Sequence, residues 1–258
     1  MNTKIKLLTE TKFQNAVLIT GLPGIGFVGK IAVDYLVSQL KTKKIAEIYS
    51  DSFPPSVHTK NGLISLIIDE IFHYNLNGKD FLFLIGPVQP SLDFRVGTPS
   101  DHYEFAEQIV ITAKNLGVTK IYTLAGINIG DRRIDKEPRV IAAATSKKLL
   151  DELSKLGAVT EKKEGLISGA AGLILGSAKN HKIEGACLMG ETNSQLIYGD
   201  HGSAKKVLEL IVKMYGFKID MKDIETESKQ IEKTFTQLSK QLEELRAEET
   251  DKDLTYVR

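Results

Sequence analysis

A glycine-rich segment near the N-terminus carries the residues whose types and spacing come closest to a known chemistry. Gly24, Gly26 and Gly29 form the pattern GxGxxG between an apolar run, residues 16–20, and a segment with helical spacing, residues 31–40. In dinucleotide-binding proteins this pattern brings backbone amides close to a pyrophosphate at a helix N-terminus. The same glycines would also let a helix pack closely on a sheet, and we favour that interpretation.

A phosphate-loop pattern overlaps this segment, because Gly24, Gly29 and Lys30 match GxxxxGK. A phosphate loop needs Ser or Thr after the lysine to hold magnesium, and this chain has Ile31 there. The acidic sequence LIIDE, residues 66–70, follows an Asn-Gly turn and is predicted to be one arm of that hairpin. We therefore predict no cofactor and no metal, and keep nucleotide binding by the glycine turn as the alternative.

Polar side chains follow several predicted strands, where open α/β sheets bind ligands. They are Asp93, Arg95, His102, Glu104, Asp131, Arg132, Arg133, Glu191, Thr192 and Asn193. Their spacing matches no catalytic motif, since GxSxG and HExxH are absent and the five histidines occur singly. We predict no catalytic residue, and an enzyme of the nucleosidase or phosphorylase kind remains the alternative.

Composition places the chain among soluble globular proteins. Its 258 residues are 42% hydrophobic, which is enough for a sizeable core, and no apolar run approaches the length of a membrane span. The N-terminus has no secretory pattern and the single cysteine excludes an intramolecular disulfide, so a cytoplasmic location is expected. Residues 219–258 have a net charge of −4 and residues 1–218 one of +5, with no concentrated basic patch for nucleic acid.

Strand-like and helix-like segments alternate along residues 1–218. Asn61-Gly62 and Asn77-Gly78 each lie between apolar or β-prone runs and predict two hairpins. The remaining alternation predicts an α/β fold with a mostly parallel central sheet covered by helices on both faces. We expect this globular domain to end at residue 218.

The C-terminal segment shows a heptad pattern. Apolar residues recur in steps of three and four, interrupted only at Ser228: Met221, Ile224, Ile231, Phe235, Leu238, Leu242 and Leu245. We call these residues the seam. Their spacing predicts a coiled-coil helix over residues 219–247, followed by a flexible tail over residues 248–258. Because the chain has one such segment, the seam is expected to pair between subunits or to pack on the globular domain.

Three sequence blocks resemble the archaeal members of the proteasome assembly chaperone family. They are VLITGLPGIGFVGKIAVDYL at 17–36, FLFLIGPVQPS at 81–91 and ISGAAGLILGSAKNHKIEGACLMGET at 167–192. The resemblance implies a fold similar to the purine nucleoside phosphorylases without their enzymatic site. It also implies a homo-oligomer that contacts the proteasome core particle or its α subunits. Such multivalent contact needs no nucleotide, so we expect it to be independent of ATP.

The resemblance directs attention to the last residues of the chain. Proteasome activators and some of these chaperones insert a hydrophobic-Tyr-X tail into pockets between α subunits. This chain ends in Leu254, Thr255, Tyr256, Val257 and Arg258, so its tyrosine is third from the end and not second. The displacement moves the ring by about 3.3 Å along an extended chain. We expect these five residues to bind the partner, either in a variant register or, if the tail is not the element that enters the pockets, in another way. A scaffold that recruits another partner is the third possibility.

Overall fold

The computed structural model describes residues 3–90, 98–133, 136–161, 164–196 and 198–230. Its ten strands are β1 (Thr3–Leu7), β2 (Ala16–Gly21), β3 (Lys43–Ser50), β4 (Val57–Lys60), β5 (Leu63–Leu66), β6 (Asp69–Leu76), β7 (Lys79–Ile85), β8 (Val118–Asn128), β9 (Val140–Ala144) and β10 (Glu184–Thr192). Its helices are α1 (Val28–Gln39), α2 (Pro99–Asn115), α3 (Lys147–Leu156), α4 (Gly169–Asn180) and α5 (His201–Tyr215), and residues 222–230 are also helical.

Eight of the described strands form one sheet between two layers of helices. Its order is β1-β3-β6-β7-β2-β8-β10-β9, with α1, α3 and α5 packed on one face and α2 and α4 on the other. β2 pairs parallel with β7 and β8, and β8 pairs parallel with β10, whereas the four other neighbouring pairs are antiparallel. The prediction of a mostly parallel sheet is therefore correct only at the centre, because hairpin and edge strands complete both sides.

Both Asn-Gly hairpins are confirmed. Asn61 and Asn77 have φ near 52°, and the glycine that follows each also has a positive φ, as the two-residue type I′ turn requires. The prediction that residues 66–70 form an arm of the first hairpin is wrong. β5 ends at Leu66, and Asp69 and Glu70 begin β6, which forms the second hairpin with β7.

Helix α1 lies unusually close to the sheet, as the favoured interpretation of the glycine turn predicts. A Cβ atom at Gly29 would overlap the backbone oxygen of Leu124 in β8, and one at Gly21 would overlap the backbone oxygen of Gly29 and the side chain of Val33. Ala32, Val33 and other apolar residues of α1 then reach the core with no exposure. In the part of the chain that is described, no helix is both long enough and apolar enough for a membrane span.

We predict that Gly29→Ala lowers the free energy of unfolding by about 1–3 kcal/mol, because the added methyl group forces α1 away from β8. Gly24→Ala is the matched control, since Gly24 is exposed and extended and no atom lies within 4 Å of a Cβ built there. Its effect should stay within about 0.5 kcal/mol. Urea unfolding of both variants decides the point, and equal destabilisation would contradict the close-packing role.

Candidate interaction surface

The glycine turn that the sequence offered as a nucleotide site is occupied by the protein's own groups. Gly26 has φ near +60°, its backbone oxygen accepts a 2.8 Å hydrogen bond from the Asp200 amide, and a Cβ there would overlap the hydroxyl of Thr192. Lys30 donates a 2.6 Å hydrogen bond to Asp34, one helical turn further along α1. Of the three candidate glycines, only Gly24 has open space beside it.

A buried ion pair joins the segments that follow β8 and β10. Arg133 donates two 2.8 Å hydrogen bonds to the carboxylate of Asp200, and the two side chains are only 6% and 2% exposed. The same carboxylate accepts from the Thr192 hydroxyl and from the Ser203 amide, both at 2.9 Å, so it also caps α5. These contacts fix the loop after β8 and the start of α5 in one arrangement.

The other predicted strand-end polar residues are paired as well. Glu191 accepts hydrogen bonds from the backbone and guanidinium of Arg139, and these bonds lower its pKa although burial acts in the opposite direction. Glu104 accepts hydrogen bonds from Thr3 on the opposite side of the sheet. Asp93 and Arg95 lie outside the described residues. The group predicted at the strand ends is therefore only partly brought together, and two of its members, Arg133 and Glu191, form ion pairs with residues outside the group.

Among the described residues, Asp69 is the most deeply buried carboxyl group at this end of the sheet. It begins β6 beside Gly86, where a Cβ atom would overlap its carboxylate. Burial raises the pKa of Asp69 well above its usual value of 3.8, and the Val88 backbone and the charge of Lys30 offset part of this effect. Within the described ranges, no three His, Cys, Asp or Glu side chains are grouped so that they could hold a metal ion.

A cleft of about 350 Å³ lies at the carboxyl ends of β2, β8 and β10. Most of its walls are apolar: Leu22, Pro23, Ile25, Leu124, Ile127, Leu166, Ile167 and Met189. Gln89 spans one side, donating to the Pro23 oxygen at 2.5 Å and accepting from the Ala170 amide at 2.9 Å. No Asp, Glu, Lys, Arg or His side chain among the described residues lines the cleft, so its chemistry suits an apolar group.

Large apolar side chains are exposed almost entirely at this same end of the sheet, which we call the carboxyl edge. It includes the ends of β3 and β7, because both strands run antiparallel to β6. Of eleven such exposed side chains in the described ranges, nine lie in the loops, in the β4–β5 hairpin or in the first turns of α2 at this end: Ile25, Phe27, Val57, Leu63, Ile64, Leu66, Tyr103, Leu166 and Tyr198. The other two, Leu7 and Leu8, lie at the opposite end. A one-sided distribution of this kind is typical of a protein contact surface.

The first seam residues pack on the globular domain. Ile224 is fully buried in the core that α1 and α5 share, and Met221 packs against that core. Glu225 lies 3.5 Å from Lys205, and Glu227 lies 3.1 Å from His201 at the start of α5. Helix 222–230 thus runs antiparallel to α5 and reaches the carboxyl edge.

The remaining predicted interaction residues lie outside the described residues. They are Ile231, Phe235, Leu238, Leu242 and Leu245 of the seam and Leu254, Thr255, Tyr256, Val257 and Arg258 of the tail. Sequence reasoning also missed the apolar residues of the carboxyl edge. Two features of the sequence could have indicated these exposed residues. Ile25 and Phe27 lie within a glycine turn, and a short hairpin contains Val57, Leu63, Ile64 and Leu66.

Fold and surface together define a three-layer α/β protein with paired strand-end charges and an apolar carboxyl edge. Residues 18–239 match the model of the PAC2 family, and the chain belongs to that family. The resemblance inferred from the three sequence blocks is confirmed.

Two solved structures and one sequence relative illustrate the family relationship. The crystal structure of Pyrococcus furiosus PbaB, an archaeal proteasome activator, is 29% identical, with a TM-score of 0.83 over 92% of this chain and 99% of that one. P. furiosus PbaA, an archaeal homolog of proteasome-assembly chaperone, is 26% identical, with a TM-score of 0.71 over the full length of both chains. An uncharacterized protein of Methanocaldococcus jannaschii is 36% identical over 95% of this chain and 93% of its own length.

We predict that Asp69→Asn raises the free energy of unfolding at pH 7. Because the folded state holds the Asp69 proton more tightly than the unfolded state does, the wild type loses stability as the pH rises above about 3.8. The advantage of Asp69→Asn should therefore shrink towards zero as the pH is lowered to that value. Urea unfolding between pH 4 and 7 measures it, and Asp51→Asn, at an exposed position of the same edge, controls for the lost negative charge. An advantage that does not change with pH would contradict the assignment.

Proposed function

We propose that the protein is a non-enzymatic proteasome assembly chaperone or activator-like protein. It binds the proteasome core particle or its α subunits as a cytoplasmic homo-oligomer, without ATP and through its C-terminal tails. The observation that carries this proposal is the similarity to P. furiosus PbaB, described as an archaeal proteasome activator, over nearly the whole of both chains. PbaA, described as a homolog of proteasome-assembly chaperone, supports the same class of partner.

The described surface supports a role in macromolecular contact. Nine exposed apolar side chains gather at the carboxyl edge, and helix 222–230 reaches the same edge before the undescribed C-terminal residues begin. The described part of the chain therefore ends at the carboxyl edge. We propose that the helix predicted over residues 219–247, which begins at residue 222 in the structure, continues as a coiled-coil helix to residue 247. We also propose that residues 248–258 form the tail and that the body is similar to the purine nucleoside phosphorylases.

The second candidate is a nucleoside- or nucleotide-binding protein, and the cleft at the strand ends is the observation that favours it. Three features argue against it: Gly26 is filled by Thr192, Lys30 is paired with Asp34, and the described cleft walls carry no charge to hold a phosphate. The two candidate functions differ in whether nucleosides or nucleotides raise the melting temperature of the protein.

We predict that ATP, NAD, adenosine and guanosine leave the melting temperature unchanged, because the residues that would bind them are engaged within the chain. A ligand present at a hundred times its dissociation constant would stabilise the fold by about 2.7 kcal/mol, which a thermal-shift assay detects readily. Gly24→Ala serves as a control for any small shift, since it changes only the open part of the glycine turn. A shift with one of these ligands that Gly24→Ala abolishes would favour the second candidate.

We predict that deletion of residues 251–258 weakens binding to purified core particles about tenfold or more, since the loss of an anchor costs at least about 1.4 kcal/mol per copy. Native mass spectrometry should give the same subunit number for the truncated and full-length proteins. A variant with the last eight residues in reversed order keeps composition and charge and should behave like the deletion. Undiminished binding by both variants would exclude the tail, and absence of binding by the full-length protein would exclude the proposed function.

A further inference from the structure

The cleft at the carboxyl ends of β2, β8 and β10 contains a hydroxyl group that the described chain does not use. Thr20 lines the cleft and is only 3% exposed. Ala16 and Leu18 belong to the core beneath α2 and α4, and alternate residues of a strand share a face, so the Thr20 side chain points to the same side. Its hydroxyl makes no hydrogen bond with any described residue. Because a buried hydroxyl without a partner costs free energy, this group indicates a ligand in the cleft.

The N-terminus of α4 forms another wall of the same cleft. Ser168, Gly169 and Ala171 line it, and the Ser168 side chain does not cap the helix. Gln89 accepts a hydrogen bond from the Ala170 amide, whereas the amides of Gly169 and Ala171 have no acceptor among the described residues. The first-turn amides of a helix carry the positive end of its dipole and attract an anion. The cleft thus combines unused helix amides with an unused buried hydroxyl.

The other walls of the cleft restrict which anion fits. Its described lining includes no Lys, Arg or His, so a doubly charged phosphate would lack the cations that usually bind it. The same lining includes no Asp or Glu to repel a single negative charge. Most of the other lining side chains are aliphatic, among them Leu22, Ile127, Ile167 and Met189. The volume of about 350 Å³ is close to the lower limit for ligand pockets, so the ligand must be small.

We infer that the cleft binds a small aliphatic monocarboxylate. The carboxylate accepts hydrogen bonds from the first-turn amides of α4 and from the Thr20 hydroxyl, and the hydrocarbon chain packs against the aliphatic walls. One negative charge matches a helix terminus that has no basic side chain beside it in the described lining. This inference goes beyond the proposed function, because binding of such a ligand requires neither the C-terminal tail nor the proteasome.

Calorimetric titration of the full-length protein with acetate, butyrate, isocaproate and octanoate tests the inference. We expect isocaproate to bind, and the affinity to rise about fourfold for each further methylene group that the cleft buries. Isocaproamide has the same hydrocarbon chain without the charge and should bind at least about tenfold more weakly. Absence of binding by all four acids at millimolar concentration, or equal binding of the acid and the amide, would overturn the inference.

A pair of threonine variants tests the site itself. Thr20→Val removes the hydroxyl with little change of shape and should weaken isocaproate binding about tenfold, because hydrogen bonds to charged groups are among the stronger ones. Thr123→Val is the matched control, since Thr123 lies opposite Thr20 on β8 but is fully buried and does not line the cleft. Circular dichroism and urea unfolding check that both variants fold.

Two further results would contradict a monocarboxylate site in the cleft. An equal loss of affinity in Thr20→Val and Thr123→Val would show that packing, and not the Thr20 hydroxyl, controls binding. Binding of a synthetic peptide of residues 251–258, but of none of the small acids, would show that the cleft receives a peptide C-terminus instead. Both measurements use the isolated protein, so their outcome does not depend on whether it binds core particles.

Discussion

The contact between α1 and β8 at Gly29 determines the geometry of the carboxyl edge around β2, β8 and β10. With no side chain between them, the helix approaches the Leu124 carbonyl, and its apolar residues reach the core beneath. The preceding turn must then be short, and Gly26 adopts a positive φ against Thr192. The Gly26 oxygen in turn receives the Asp200 amide, which places α5 and, through Arg133, the loop after β8. One backbone-to-backbone approach thus positions four segments.

Local chemistry allowed part of this fold to be predicted. Two Asn-Gly pairs required two tight hairpins, and the glycines between an apolar strand and an apolar helix required close packing. The order of the strands could not be predicted, because pairing between β1 and β3, or β9 and β10, depends on contacts distant in sequence. Edge strands of this kind carry the same alternating pattern in a parallel or an antiparallel arrangement. The mixed character of the sheet therefore appears only in three dimensions.

The candidate surface was less accessible to sequence reasoning than the fold. Arg133 and Asp200 are 67 residues apart, and the sequence around each residue does not indicate that the two form an ion pair. Heptad spacing identifies the apolar stripe of a helix but not what covers it, and Ile224 is buried by the protein's own core. Exposed apolar residues have no sequence signature of their own. The nine exposed apolar residues of the carboxyl edge are recognised only once the structure shows which apolar residues are buried in the core.

Two ion pairs hold charged side chains that follow the central strands of the described sheet. The guanidinium of Arg133 binds the carboxylate of Asp200, and that of Arg139 binds the carboxylate of Glu191, so these four side chains are engaged within the chain. What the carboxyl edge offers instead is apolar area, which gains free energy when another protein covers it. Helix 222–230 reaches the same edge, so the described part of the chain ends beside this apolar area. When several weak contacts are linked, binding of one raises the effective concentration of the others at a partner with repeated subunits. The affinity for such a partner would then depend more on the spacing of the contacts than on the strength of any one of them.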